Sequence, residues 1–258
     1  MKIFVCVKQV PDTETKIQLK SDRSGIEESG IKWVLNPYDE FAIEEALKVK
    51  EANAGATVTA VSVGPKTRVV DALRTALAMG ADDAIVVDAT EALDPLATAQ
   101  ALARAIKKEG DATFVFTGKL AIDDNSAAVS QMVAEFLEIP HVTVVSKIAY
   151  AAGQVTVERE IEGGAREIFT VKTPCLLAAN KGLNTPRYAS LPGIMKAKKK
   201  PVKELSLAEV DLTLSSSKVK YKNFELPADK PAVKMLSGDA ATQAKELVKL
   251  LMNEAKVL

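Results

Sequence analysis

Apolar runs rich in β-branched residues alternate with longer amphipathic stretches along the first half of the chain. Lys2–Val7, Thr57–Val63, Ala84–Val87 and Thr113–Thr117 are too continuously apolar to be half-exposed, which predicts buried parallel strands. Between them the spacing predicts helices over about Pro37–Glu51, Thr67–Met79, Pro95–Lys108 and Ser126–Leu137. The last carries Val129, Met132, Val133, Phe136 and Leu137 on one face and stops before Pro140. Repeated strand–helix units imply right-handed crossovers and a doubly wound α/β fold, a mostly parallel sheet with helices on both faces. From His141 the pattern changes to closely spaced strands: Val142–Tyr150, Gln154–Ile161, Arg166–Lys172 and Cys175–Ala179. Ala152-Gly153 and Gly163-Gly164 supply turns, so an antiparallel extension is expected at one sheet edge.

Beyond Pro201 clear periodicity stops until a final helix at about Asp239–Ala255, with Ala244, Leu247, Val248 and Leu251 as its apolar stripe. The stretch Val202–Leu236, broken by Pro227 and Pro231, is long for a connection inside a compact domain. It reads either as a mobile linker or as an arm ordered on another chain. The expected division is an α/β domain over 1–201 and a C-terminal arm and helix over 202–258.

Composition removes several function classes. The 34 basic and 34 acidic residues of this 258-residue chain cancel, so the run Lys196, Lys198, Lys199, Lys200 is a local patch rather than a nucleic-acid-binding field. Aromatic residues make up 5%, too few for a base-stacking platform. Cys6 and Cys175 are isolated and supply neither a disulfide framework nor a zinc site. The opening Met-Lys-Ile-Phe-Val-Cys-Val has neither the length nor the flanks of a signal peptide or membrane span. The expectation is a reduced, soluble, intracellular protein without direct membrane insertion.

Catalytic groups are sparse. His141, the single histidine, stands at a strand start and reads as structural. Asp123 and Asp124 are adjacent, so their side chains diverge, and a loop cap or amide acceptor is the default over an acid–base dyad. Neither a Gly-x-Gly-x-x-Gly fingerprint nor a Gly-x-x-x-x-Gly-Lys-Ser/Thr phosphate loop occurs. A chain without a catalytic constellation suits a carrier or binding role better than an enzyme's.

In an open parallel sheet, ligands bind beyond the carboxyl ends of the strands, where helix N-termini offer free N–H groups. Four loops lie at such ends: Lys8–Asp12; Asn36-Pro37-Tyr38-Asp39-Glu40; Gly64-Pro65; and Gly118–Ser126. In the second, Asn36 is placed to cap, Pro37 suits the first helical position and Asp39 falls at the third. Each loop alone reads as a cap and turn before it reads as a ligand contact.

Between Asn184 and Pro201, the apolar residues Tyr188, Leu191, Ile194 and Met195 are interrupted by Pro186, Pro192 and Gly193, so no regular element can bury them all. Leu191 is expected on a loop, an apolar tip beside solvated lysines that suits a transient protein contact. A core segment followed by a polar face is the alternative reading. The run Arg187-Tyr188-Ala189-Ser190-Leu191-Pro192-Gly193-Ile194-Met195-Lys196-Ala197-Lys198 resembles the signature of electron-transfer flavoprotein β subunits. It is preceded by Val157-Glu158-Arg159-Glu160-Ile161-Glu162-Gly163-Gly164, and the resemblance runs from Met1 to Lys203, weakest in the tail.

That resemblance implies a Rossmann-like, adenine-nucleotide-binding domain in a heterodimer whose α subunit is embraced by the tail. It places Gly118, Lys119, Leu120, Ala121, Ile122, Asp123, Asp124, Asn125, Ser126, Ala127, Ala128 and Val129 in the nucleotide loop. The amides around Asn125–Ala128 would hold a phosphate, Asn36, Pro37, Tyr38 and Asp39 form a second contact, and Cys6 and Val63 line the adenine. Asn125–Val129 replaces a more polar Asp-Cys-Asn-Gln-Thr-like run, a change that main-chain contacts survive. Ala-Ile-Asp-Asp-Asn, with Val-Glu-Arg-Glu, resembles the non-bifurcating group, which holds AMP as a structural ligand. Electron-bifurcating relatives carry a second FAD, oxidise NADH and tend to read Ala-Ile-Asp-Gly-Asp. FAD is expected mainly on the α subunit, with Tyr38 near its ring and Arg159 and Glu160 at the subunit contact. Tyr188, Leu191, Ile194, Met195 and Lys196 would dock dehydrogenases, such as acyl-CoA dehydrogenases of fatty acid β-oxidation. Electrons would pass on to a membrane quinone reductase or similar acceptor, with the redox chemistry residing in the flavin. A bacterial cytoplasm is expected rather than a mitochondrial matrix. The competing readings are a β subunit of an electron-bifurcating flavoprotein with a second FAD and NADH oxidation, a stand-alone ATP-binding signalling module and a hydrolase of adenylated substrates.

Overall fold

A computed structural model describes residues 1–258, which divide into two compact units. The first comprises Met1–Gln18 with Glu27–Lys222, the second Leu19–Ile26 with Asn223–Leu258. In chain order the first unit contains β1 (Lys2–Cys6), β2 (Gln9–Pro11), β3 (Trp33–Leu35), α1 (Pro37–Ala52), β4 (Thr57–Gly64), α2 (Lys66–Met79), β5 (Asp83–Asp88) and α3 (Pro95–Glu109). It continues with β6 (Phe114–Gly118), α4 (Val129–Leu137), β7 (His141–Ala151), β8 (Gln154–Glu160), β9 (Arg166–Lys172), β10 (Cys175–Ala179), α5 (Leu191–Lys199) and β11 (Lys203–Ser206). The second unit carries α6 (Ala240–Leu250), which runs on into a π-helical turn at Leu251–Ala255.

Nine strands form one sheet in the order β11-β5-β4-β1-β6-β10-β7-β8-β9. Every pairing from β11 to β7 is parallel, and β7-β8-β9 is the antiparallel extension expected from the turn pairs. The central strands are buried on both faces, and this is why their sequences run apolar without alternation. Ile3, Val5, Phe114, Phe116 and Leu177 pack beneath α1 and α2, while Phe4, Ile85, Val115 and Leu176 pack beneath α3 and α4. Each such side chain contributes about 1.5–3 kcal/mol on burial.

Three local features depart from expectation. The helix predicted from Ser126 begins at Val129, because Asn125 (φ 51°) and Ala127 (φ 49°) hold left-handed backbone that no α-helix accepts. Leu191, expected on a loop, instead begins α5: the Ser190 hydroxyl accepts the Gly193 amide at 3.1 Å, and Pro192 sits in the first turn, where its missing N–H costs nothing. β11 pairs with β5 inside the stretch that showed no periodicity, since four residues are too few to display one.

Asp94 joins two distant segments. As the N-cap of α3 its carboxylate accepts the Ala97 amide at 2.8 Å, and it also takes the amides of Lys218 and Val219 at 2.5 and 2.9 Å. Its own amide donates to the Ser217 hydroxyl at 3.1 Å. Burial works against its ionisation, yet these amides hold the carboxyl below its usual range. Asp94→Ala is expected to cost about 2–4 kcal/mol of stability and to speed tryptic cleavage at Lys218–Lys222; a time course on gels checks it.

Candidate functional site

The strand order reverses at β1: the chain moves outward through β4 and β5, then returns to place β6 on the other side of β1. A crevice opens beyond the carboxyl ends of strands at such a switch point, so β1 and β6 are its lips. Asp39, in the first turn of α1, sits between them and is 5% exposed. One carboxylate oxygen accepts the Lys8 amide, which follows β1, at 2.7 Å. The other accepts the Gly118 amide at the end of β6 and the Asn36 side-chain amide, both at 3.0 Å. Asn36, placed by sequence to cap α1, makes no side-chain cap bond. Its side chain crosses to the β6 loop instead, donating to the Leu120 carbonyl at 2.9 Å and accepting the Ile122 amide at 3.2 Å. Only glycine fits at 118, because a Cβ there would lie 2.4 Å from Asp39 Oδ1 and 2.7 Å from Tyr38 Cβ.

The loop after β6 is closed by bonds among its own residues. The Asp124 amide donates to Asp123 Oδ1 and the Ser126 amide to Asp124 Oδ1, each at 3.0 Å, and the Asn125 amide to the Ala121 carbonyl at 2.9 Å. Residues in the left-handed region beside right-handed ones turn successive N–H groups toward one point, a concavity suited to an anion. Ala127 and Ala128 (φ −112°, ψ −33°) make such a step, and α4 follows with no side-chain cap on its first amides. An alanine held at positive φ costs roughly 1–2 kcal/mol, and such strain clusters at ligand sites. Asp123–Ala127 are exposed, Lys119–Ile122 and Ala128–Val129 half-buried. Cys6 and half-buried Val63 lie on the α3–α4 face of the sheet. Burial, then the nearby Asp39, push the Cys6 thiol up to about 12, so it offers packing and main-chain groups rather than a thiolate. Tyr38 and Pro37 are half-buried, and Lys119 Nζ lies 5.1 Å from the centre of the Tyr38 ring. A recess of about 380 Å³ lined by residues such as Asp12, Glu14, Lys16 and Lys32 lies apart from these groups.

The apolar stretch after β10 forms a second locus. Tyr188, Leu191 and Met195 are 98%, 77% and 63% exposed, Ile194 less so, and Lys196 is exposed beside them. The segment carrying them is clamped. Arg187 forks onto Glu44 (2.8 and 3.0 Å) and Glu51 (2.5 and 3.2 Å) of α1, and Asn184 donates to the Phe41 carbonyl and Glu45, both at 2.9 Å. Glu44 is held below its usual range because Arg187 outweighs the effect of burial. Arg74 of α2 donates to the carbonyls of Ala197 and Lys200, Ala197 is buried, and a Cβ on Gly193 would lie 2.5 Å from the Ala78 carbonyl oxygen. Sequence reading missed Arg187 and Asn184 as anchors; the available signal was the carboxylates Glu44 and Glu51 seven apart on one helix, needing a cation.

Of the residues named from the sequence, Asn36, Asp39, Gly118, Leu120 and Ile122 are joined by hydrogen bonds beyond the ends of β1 and β6, while Leu191, Ile194, Met195 and Lys196 are exposed on α5 and Tyr188 just before it. The electron transfer flavoprotein domain family matches residues 24–210. The electron transfer flavoprotein subunit beta of Bacillus subtilis (strain 168) is 43% identical over 263 residues, covering 100% of both chains. That of Bradyrhizobium diazoefficiens is 40% identical over 258 residues, and the mitochondrial subunit of Arabidopsis thaliana 41% over 260, each again covering 100% of both chains.

Asp39 also generates a pH dependence. Burial pushes its carboxyl from 3.8 up to about 7 against the pull of the Lys8, Asn36 and Gly118 donors. The folded state therefore binds this proton more tightly than the unfolded chain. Stability contributed here is full below about pH 4, falls as pH rises toward about 7, then levels; the total is on the order of 4 kcal/mol. Unfolding midpoints of wild type and Asp39→Asn from pH 4 to 8 check this: the wild-type advantage should shrink with rising pH.

Proposed function

This chain belongs to the electron transfer flavoprotein β-subunit family, and on that premise we propose that it is the nucleotide-holding, partner-docking half of a heterodimeric electron carrier. The observation that carries the reading is the exposure of Tyr188, Leu191 and Met195 on a segment whose other contacts fasten it to α1 and α2. An apolar cluster that is solvent-facing yet held in place is suited to catching a partner. FAD, bound mainly by the α subunit, supplies the redox chemistry, accepting electrons from dehydrogenases such as acyl-CoA dehydrogenases and passing them to a quinone reductase or similar acceptor. Tyr38 closes one side of the flavin site. The chain itself acts as a carrier subunit rather than an enzyme.

The crevice between β1 and β6 holds AMP. With the Asn125 and Ser126 amides bonded within the loop, the backbone amides of Ala127, Ala128 and the start of α4 take the phosphate, which the uncapped helix and the left-handed Ala127 fit. Main-chain groups at Cys6 and Val63 border the adenine, and Asn36–Asp39 fix the loop from below. The nucleotide is structural: it joins segments that otherwise meet through Asp39, Asn36 and the ion pairs of Lys8, after β1, with Asp123 and Asp124 in the loop after β6.

Co-expression with the α subunit, followed by denaturation and identification of released nucleotides, tests this reading. One FAD and one AMP per heterodimer is expected; two FAD would mark an electron-bifurcating protein, and ATP on an isolated homodimer a signalling module. Leu191→Ala should slow electron transfer from a dehydrogenase by about ten-fold or more, the value of about 1.5–3 kcal/mol of leucine burial, while flavin content stays intact. An unchanged rate would remove Leu191 as the anchor.

A further inference from the structure

Two carboxylates are buried side by side on α1. Glu44 and Glu45 are 6% and 2% exposed, in a helix whose other buried positions include Ala42, Ile43, Ala46 and Leu47. Neighbouring side chains on a helix point about 100° apart, so separate donors are needed to reach both. The segment before α5 supplies them. Glu44 accepts the Arg187 main-chain amide at 3.0 Å as well as its guanidinium, and Glu45 accepts the side-chain amide of Asn184. Glu45 also takes the Tyr150 hydroxyl of β7 at 2.9 Å and pairs with Lys48 at 3.2 Å. Asn184 turns its Nδ2 to Glu45 and the Phe41 carbonyl and leaves its own Oδ1 buried without a partner. The outer carboxylate of the fork, Glu51, differs: its side chain is 58% exposed.

Stability alone gives little reason for this arrangement. Taking carboxylates out of water is costly, an orphaned amide oxygen adds to the cost, and an interior ion pair often stabilises no more than apolar side chains of the same volume. Apolar contact, however, has no preferred direction, so a segment held by it alone can slide. A guanidinium on a carboxylate fixes position and orientation together. Tyr188 follows Arg187 directly, and Leu191 lies four residues beyond it. We propose, resting on the docking reading above, that Arg187 and Asn184, received by Glu44 and Glu45, are positioning residues for electron transfer. They aim Leu191 at the partner dehydrogenase, and their worth lies in docking rather than in the stability of the fold. Buried Glu44 sets the direction of the fork, while Glu51, largely in water, adds little.

The test uses the heterodimer as electron acceptor of an acyl-CoA dehydrogenase, with thermal unfolding midpoints measured alongside. Replacing the pair together, Glu44→Met with Arg187→Met, should keep the midpoint within about 2 °C of wild type and leave flavin content intact. The same pair should raise KM for the heterodimer about ten-fold while kcat stays within about two-fold. Arg187→Lys, which keeps the charge but not the fork, should fall between, and Glu51→Gln should change KM by less than about two-fold. In a Leu191→Ala background the paired replacement should lose most of its effect on KM, because a side chain that has been removed cannot be aimed. A KM unmoved by the pair, or a rise undiminished in the Leu191→Ala background, would overturn the proposal. Should the methionine pair fold poorly, the cycle between Arg187→Lys and Leu191→Ala decides by the same criterion. Leu191→Ala alone leaving KM unchanged would overturn the docking reading itself, a result told apart because the clamp is intact in that variant.

Discussion

The hydrogen bonds converging on Asp39 are the constraint from which the rest of this domain's functional architecture follows. A parallel sheet fixes its strands but leaves the loops beyond their carboxyl ends free to splay. At the switch point those loops come from β1 and β6, remote in sequence, with no ladder bond between their tips. One buried carboxylate takes an amide from each lip and a third donor from the Asn36 side chain, so the two loops and the start of α1 meet at a single point. The bare backbone of Gly118 is what lets β6 come this close. Burying a carboxylate is unfavourable, and three N–H donors offset the cost only in part. Such an expense is reasonable where loops remote in sequence are joined by polar contacts instead of being packed together by apolar side chains.

Most of the fold was readable because it obeys periodicity. Strands buried on both faces announce themselves as unbroken Val, Ile and Phe runs, and the helices between them by apolar positions three and four apart. The hairpin extension was legible from the turn pairs Ala152-Gly153 and Gly163-Gly164. What escaped was set by single-residue backbone geometry or by long-range polar contacts. Nothing in Asn-Ser-Ala-Ala advertises that Asn125 and Ala127 turn left-handed, since alanine favours the helix expected there. Asn36 has the chemistry of a cap, and sequence cannot tell that a partner more than eighty residues away outcompetes its own helix. The four-residue β11 was invisible for want of length. Within the candidate site, the loops were identifiable from topology and family signature, whereas the Lys8 link to Asp123 and Asp124 emerged only once the strands were placed side by side.

The exposed apolar segment around α5 shows the same division between what a pattern reveals and what packing decides. Interrupted apolar residues beside lysines gave reason to expect an exposed tip, but the interruptions, Pro192 and Gly193, serve a helix rather than a loop. Proline starts α5, while glycine lets its backbone press against α2 within reach of the Ala78 carbonyl. Exposed apolar side chains on a slack segment would fold back onto the protein and lose their surface. Here Arg187 is held by a fork of carboxylates from α1, and Arg74 grips the far end of the helix through its carbonyls. With both ends fixed, Tyr188, Leu191 and Met195 have no nearby route to burial within their own domain. Most of the ordering entropy of the segment is therefore spent in folding, not at the encounter, and a small apolar contact can bind usefully while still releasing quickly. A stiff, minimal contact of that kind suits the transient docking proposed above better than a large one would.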